Sequence, residues 1–133
     1  MSESIVSIRN LATHYPITGG WFGPTPVVRA LDNIDLEIKR GQFFGLVGES
    51  GSGKTTLGRA ILKAAPISAG KIIFHDGKKE VDINTLAKRD VLAFRRQAQL
   101  IFQDPYAALS PRMTVRDIIA EPLEVMKLTN SKD

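Results

Sequence analysis

Gly48-Glu49-Ser50-Gly51-Ser52-Gly53-Lys54-Thr55 follows an apolar run containing Phe43, Phe44, Leu46 and Val47 and opens a segment containing Ala and Leu. The spacing is that of a phosphate-binding loop. Its glycines let successive backbone N–H groups turn inward around an anion, and a helix starting near Thr55 adds the positive end of its dipole at the same point. In such a loop Lys54 reaches the β and γ phosphates of a nucleotide, and the Thr55 hydroxyl serves Mg²⁺. A Gly-rich turn can match by accident, but a strand before it and a helix after it are the confirming context, and both are legible here. The sequence therefore predicts nucleoside triphosphate binding, with Gly48, Ser50, Gly51, Ser52, Gly53, Lys54, Thr55 and Thr56 as contact residues.

The remaining composition narrows the class. At 133 residues, with ordinary apolar and charged fractions, the chain suits one compact domain with its own core. No apolar run is long enough to span a bilayer, and Met1-Ser2-Glu3-Ser4 lacks a signal-peptide pattern, so a cytosolic location is expected. Without cysteine, and with two isolated histidines (His14, His75), zinc chemistry is not expected. The formal charge of +4 comes from dispersed basic residues with short clusters at Lys78-Lys79, Lys88-Arg89 and Arg95-Arg96, a pattern of solvated faces that argues against nucleic acid.

Along the chain, Ile5 to Leu11 and Val27 to Ile38 alternate as half-buried strands, joined by a turn-rich insert between Pro16 and Pro26 in which Trp21 and Phe22 are the large apolar residues. Lys39-Arg40-Gly41 leads into an expected buried strand from Gln42 to Val47. A helix is expected over Thr55 to Ala64, a short strand over Lys71 to Phe74 closed by His75-Asp76-Gly77, and a basic helix from about Leu86 to Ala98. Leu100-Ile101-Phe102 reads as another short buried strand. Thr114-Val115-Arg116-Asp117 is a capping box for a helix toward Met126, with Pro122 as a kink or early end. His14 reads as a surface residue.

Leu100-Ile101-Phe102-Gln103-Asp104-Pro105 resembles at first an apolar strand ending in an acidic Mg²⁺ ligand, but Gln103 takes the strand end and Pro105 forces a turn, which argues against Asp104 in that role. The whole run from Ile101 to Val115, taken with Gly48 to Thr56, closely resembles the ATP-binding subunits of ABC transporters, in the branch that imports dipeptides, oligopeptides and related solutes. The resemblance extends from the first strand to the last residue. It implies an α/β fold: an incomplete phosphate-loop NTPase core of the ABC ATPase type with an N-terminal antiparallel β lead-in. The implied layout is a lead-in over residues 1–41, a phosphate-loop core over 42–102, and a glutamine loop with its following helix over 103–133.

The resemblance also implies roles. ATP and Mg²⁺ are the ligands, Gln103 touches the metal or attacking water, and Lys54 and Gln103 form the catalytic set present here. Thr55 and Gln103 are the metal-side residues. Tyr15 stands where the family stacks an aromatic ring on adenine, a contact that positions a base more than it specifies one. The loop after Gln103 is implied to meet transmembrane permease subunits at the cytoplasmic face of the membrane. A second ATP-binding subunit, identical or different, closes the nucleotide sandwich, and a solute-binding protein is an indirect partner. The insert around Gly19 to Gly23 resembles that of the second ATPase in paired importers.

A complete subunit of the family is longer. The signature that clamps the partner's nucleotide, the strand with an Asp-Glu pair and the switch histidine have no match here, so the chain is expected to be an N-terminal portion that does not hydrolyse ATP by itself. Glu49 lies inside the phosphate loop, and Glu121 and Glu124 have no motif around them, so none is a fitting general base. The competing readings are a nucleotide-binding module without hydrolysis and a small phosphate-loop kinase; the latter lacks an Arg-bearing lid and an acceptor pocket.

Overall fold

The computed structural model describes residues 3–17, 26–77, 79–104, 106, 109–126 and 128. The insert with Trp21 and Phe22 lies outside them. The chain divides into two compact units, Met1–Ala87 and Lys88–Asp133.

In the first unit four antiparallel strands form one sheet, β1 (Ser4–Pro16), β2 (Val27–Lys39), β3 (Ala69–His75) and β4 (Glu80–Asp82), in the order β2-β1-β3-β4. A helix, α1 (Lys54–Ile61), contributes the buried Leu57 and Ala60 to a core that also holds Val6, Ile8, Leu11, Leu31, Ile72, Phe74 and Ile83. The alternation expected for β1 is interrupted by several slips of register, one of them between Ile8 and Leu11. Ile8 pairs with Leu36 and Leu11 with Ile34, so β1 spends one extra residue at Asn10, where φ is +48°. That bulge keeps both Ile8 and Leu11 fully buried. The displaced Asn10 N–H donates to Asp35 Oδ1 at 2.9 Å. On the β3 side Gly70, at φ +81°, accommodates the bulge: a Cβ there would lie 2.2 Å from the Asn10 carbonyl oxygen.

The buried hydroxyl of Thr13 donates to the Pro66 carbonyl at 2.8 Å, which removes the cost of burying it. Asn84 extends the β3 ladder where β4 stops: its Oδ1 accepts from Ile72 N–H at 3.2 Å and its Nδ2 donates to the Gly70 carbonyl at 2.8 Å. The three-residue β4 is absent from the sequence reading, being too short to show a period. His14, read as a surface residue, is half-buried, and its Nε2 is sequestered from solvent.

Two expectations fail together. The stretch from Gln42 to Val47 forms no strand; Phe43 is fully exposed and Val47 is 92% exposed. In the second unit Leu100 to Phe102 forms none either, with Ile101 93% exposed. Both runs have the composition of strands buried on two faces, and such strands exist only when neighbours take up their backbone groups. Among the described residues neither run has one.

The second unit contains α2 (Lys88–Arg95), shorter than the expected Leu86 to Ala98, with Phe94 buried, and α3 (Val115–Val125). The capping box is formed as read. Thr114 Oγ1 accepts from Asp117 N–H at 3.2 Å, and Asp117 Oδ2 accepts from Thr114 N–H at 3.3 Å. Pro122 does not end the helix, which runs on to Val125; the proline removes one donor, but Met126 N–H still bonds the Pro122 carbonyl at 3.0 Å.

Gly70→Ala should lower stability by about 2–4 kcal/mol, because it combines an unfavourable φ with a backbone clash against Asn10. Urea denaturation of the variant beside the parent chain measures it; an unchanged midpoint would show that the β1 bulge does not depend on residue 70.

Candidate functional site

The phosphate-loop residues stand where β2 meets α1. Gly53 is the N-cap of α1 at φ +91°, and the first intrahelical bond, Leu57 N–H to the Gly53 carbonyl, is 2.8 Å. A Cβ on Gly53 would lie 2.5 Å from the Ala30 carbonyl oxygen and 2.9 Å from Leu31 Cδ2. The bare backbone of residue 53 therefore lets the helix start directly against β2. There β2 carries its own irregularity: Thr13 pairs with Leu31 and His14 with Arg29, so Ala30 is the extra residue. Nothing in the sequence near residue 53 signals Ala30 and Leu31 as its supports.

Lys54 closes the loop. Its ammonium donates to the carbonyls of Gly48 at 2.7 Å and Glu49 at 2.5 Å and to Ser52 Oγ at 3.3 Å, and Ser52 N–H bonds the Glu49 carbonyl at 3.2 Å. The cation thus holds the loop's entry and exit together. Gly53 offers no side chain to cap α1, and the first turn has no acidic residue, so the helix's leading N–H groups remain available to an anion. Thr55 is exposed in that first turn, with Thr56 beside it. This donor set suits a Mg²⁺-bound polyphosphate: backbone N–H groups, one fixed cation and a free hydroxyl.

Tyr15 lies in the same unit, near the end of β1, opposite Val28 of β2 and 37% exposed. Gln103 belongs to the second unit and is exposed. The neighbouring Asp104 accepts from Tyr106 N–H through Oδ1 at 3.0 Å, which turns the chain locally.

A family model described as ABC transporter matches residues 31–132. The oligopeptide transport ATP-binding protein OppF of Streptococcus mutans is 53% identical over 110 residues, 83% of this chain and 34% of that protein. The protein of the same name from Bacillus subtilis is 40% identical over 136 residues, 99% of this chain and 40% of its own length. The chain thus spans a little over a third of these curated relatives. Among solved structures, the dimeric post-hydrolysis state of the ATP-binding cassette MJ0796, bound to ADP and Pi, matches with a TM-score of 0.70 and 25% identity over 96% of this chain and 50% of that one.

Gly53→Ala should cost about 1–3 kcal/mol and perturb the amide signals of the loop, since a methyl group must displace Ala30 or Leu31. Gly41→Ala is the control, sharing a positive φ of +73° with nothing within 4 Å of its Cβ. Equal effects of the two on unfolding midpoint and on loop amide shifts would remove the claim that the Ala30 carbonyl fixes the loop.

Proposed function

The chain belongs to the ABC transporter family and carries a partial ABC ATPase fold; from that premise we propose that it is the N-terminal portion of the ATP-binding subunit of an importer for peptides or related solutes. The layout proposed for one nucleotide-binding domain is a β lead-in over 1–41, a phosphate-loop core over 42–102, and a glutamine loop with its helix over 103–133.

The observation that carries this reading is the bridging of the Gly48 and Glu49 carbonyls by Lys54 at an uncapped helix start. Such a loop is already curved around the space a phosphate takes, so little ordering remains to be done on binding. The residues Gly48 and Ser50 to Thr56 hold the phosphates of ATP, Thr55 faces the metal, and Tyr15 stacks the adenine. Bound Mg²⁺ would neutralise charge on the phosphates and bridge their oxygens. Gln103 senses the metal or attacking water, and the segment from Gln103 to Thr114 meets the permease subunits. Hydrolysis belongs to the longer protein, acting with a second ATP-binding subunit, with permeases fed by a solute-binding protein. The working location is the cytoplasmic face of the membrane; among the described residues no helix is long and apolar enough to cross it.

Calorimetry on the 133-residue chain should detect modest Mg-ATP binding that Lys54→Ala abolishes, because the substitution removes both the cation and the tie across the loop. Equal binding by the two proteins would overturn the phosphate-loop reading.

The same reading makes the isolated chain catalytically silent, since among the described residues no carboxylate is placed to activate water. The apolar runs Phe43–Val47 and Leu100–Phe102 lack strand partners among the described residues, which favours self-association. Light scattering is expected to show oligomers, and a phosphate-release assay no turnover. A monodisperse monomer that hydrolyses ATP in a Lys54-dependent way would refute both statements.

A further inference from the structure

The geometry points to Lys63 as a strap that carries the state of the phosphate loop, through α1, to the segment by which the chain leaves the first unit; this rests on the ATP-binding reading of the loop. Three observations carry it. First, α1 ends in a left-handed turn: Ala64 N–H bonds the Arg59 carbonyl at 2.7 Å, Lys63 N–H bonds the Ala60 carbonyl at 3.0 Å, and Lys63 itself has φ +51°. Glycine is the usual residue at that position, because a Cβ makes left-handed backbone unfavourable. Second, the lysine side chain is put to use: its ammonium donates to the Asn84 carbonyl at 3.2 Å and to the Leu86 carbonyl at 2.5 Å. Third, those two carbonyls lie on the stretch between the sheet and α2. Ile83 is fully buried and its N–H bonds the Ile72 carbonyl at 2.9 Å, so the chain is still fastened to β3 there. Leu86 is three residues on, next to Ala87, where the first unit ends.

Each end of α1 thus carries a lysine bound to two main-chain carbonyls, Lys54 to Gly48 and Glu49 and Lys63 to Asn84 and Leu86. The eight-residue helix between them is about 12 Å long at the helical rise. Lys63 also brings a positive charge to the carbonyl end of α1, where the helix dipole favours one. A polyphosphate that engages Lys54 and the leading N–H groups orders the start of α1, and so short a helix transmits that ordering to its other end as one body. Lys63 passes it to residues 84–86, where Thr85 is exposed and Leu86 only half-buried, so charge-assisted hydrogen bonds contribute more than packing. Lys63 is therefore a positioning residue, placed at the opposite end of the helix from the phosphate loop.

The test follows amide exchange by NMR in the 133-residue chain, at Thr85, Leu86 and Ala87, with Leu57 reporting on α1 and Ile8 on the sheet. Lys63→Gly removes the ammonium while suiting the left-handed backbone, so it should leave α1 intact and speed exchange at residues 85–87 about fivefold or more. Lys63→Arg keeps a cationic donor and should restore most of the protection. Adding Mg-ATP to the parent chain should slow exchange at 85–87 by a larger factor than at Ile8, which registers only the general stabilisation by a ligand. In Lys63→Gly the nucleotide should still protect Leu57, but residues 85–87 should gain no more than Ile8 does. Exchange at 85–87 that is the same in Lys63→Gly and the parent would overturn the strap, and an equal response of the two to Mg-ATP would overturn the transmission. Calorimetry on the parent separates the underlying reading: absence of Mg-ATP binding there would remove the nucleotide and the transmission together, while the ligand-free comparison would still decide whether Lys63 holds the exit segment.

Discussion

The carbonyl of Ala30 occupies the space that a side chain at residue 53 would need, and the geometry of the first unit's functional face follows from that exclusion. Because nothing but hydrogen projects from Gly53, α1 can begin with its axis start against β2. The extra residue in β2 is the one whose carbonyl fills the gap. A left-handed N-cap then forces the preceding loop to turn back, and Lys54 ties the turn by bridging Gly48 and Glu49. Sheet and helix thus meet at the Ala30 and Gly53 backbones, with the Leu31 side chain beside them. A backbone contact of this kind is stiffer than one between side chains, because it has no rotamers to exchange.

The features legible in the sequence were those written in local chemistry. The phosphate loop, the Thr114 capping box and the alternating strands β1 and β2 depend on residues within a few positions of each other. Ala30 and Leu31 were not legible as supports of the loop, because their role arises from pairing between β1 and β2 and from a bulge that no short pattern encodes. The two misread strands share one cause. Phe43–Val47 and Leu100–Phe102 have the right composition for buried strands, yet composition states only what a segment prefers once neighbours exist. Pro122 shows the converse, a local breaking signal overridden because the helix around it remains continuous to Val125.

The two halves of the nucleotide reading differ in how they are built. The phosphate end is polar, made from main-chain donors and one cation whose ammonium is already committed to the loop. The proposed base end rests on one exposed aromatic side chain, Tyr15, near the end of β1. A polyphosphate supplies most of its binding through charge and a base through surface, so the first should fade with salt while the second persists.

The bulge at Asn10 and the bare backbone at Gly70 also form a registration mark. Sliding β1 one position along β3 would bring the bulged carbonyl against Ala69 or Lys71, each with a Cβ where Gly70 has none. Such a slip would at the same time turn Ile8 and Leu11 from the core to water. Correct pairing is therefore favoured twice over, by what it buries and by what every neighbouring alignment collides with. A misaligned pairing thus loses on both counts at once.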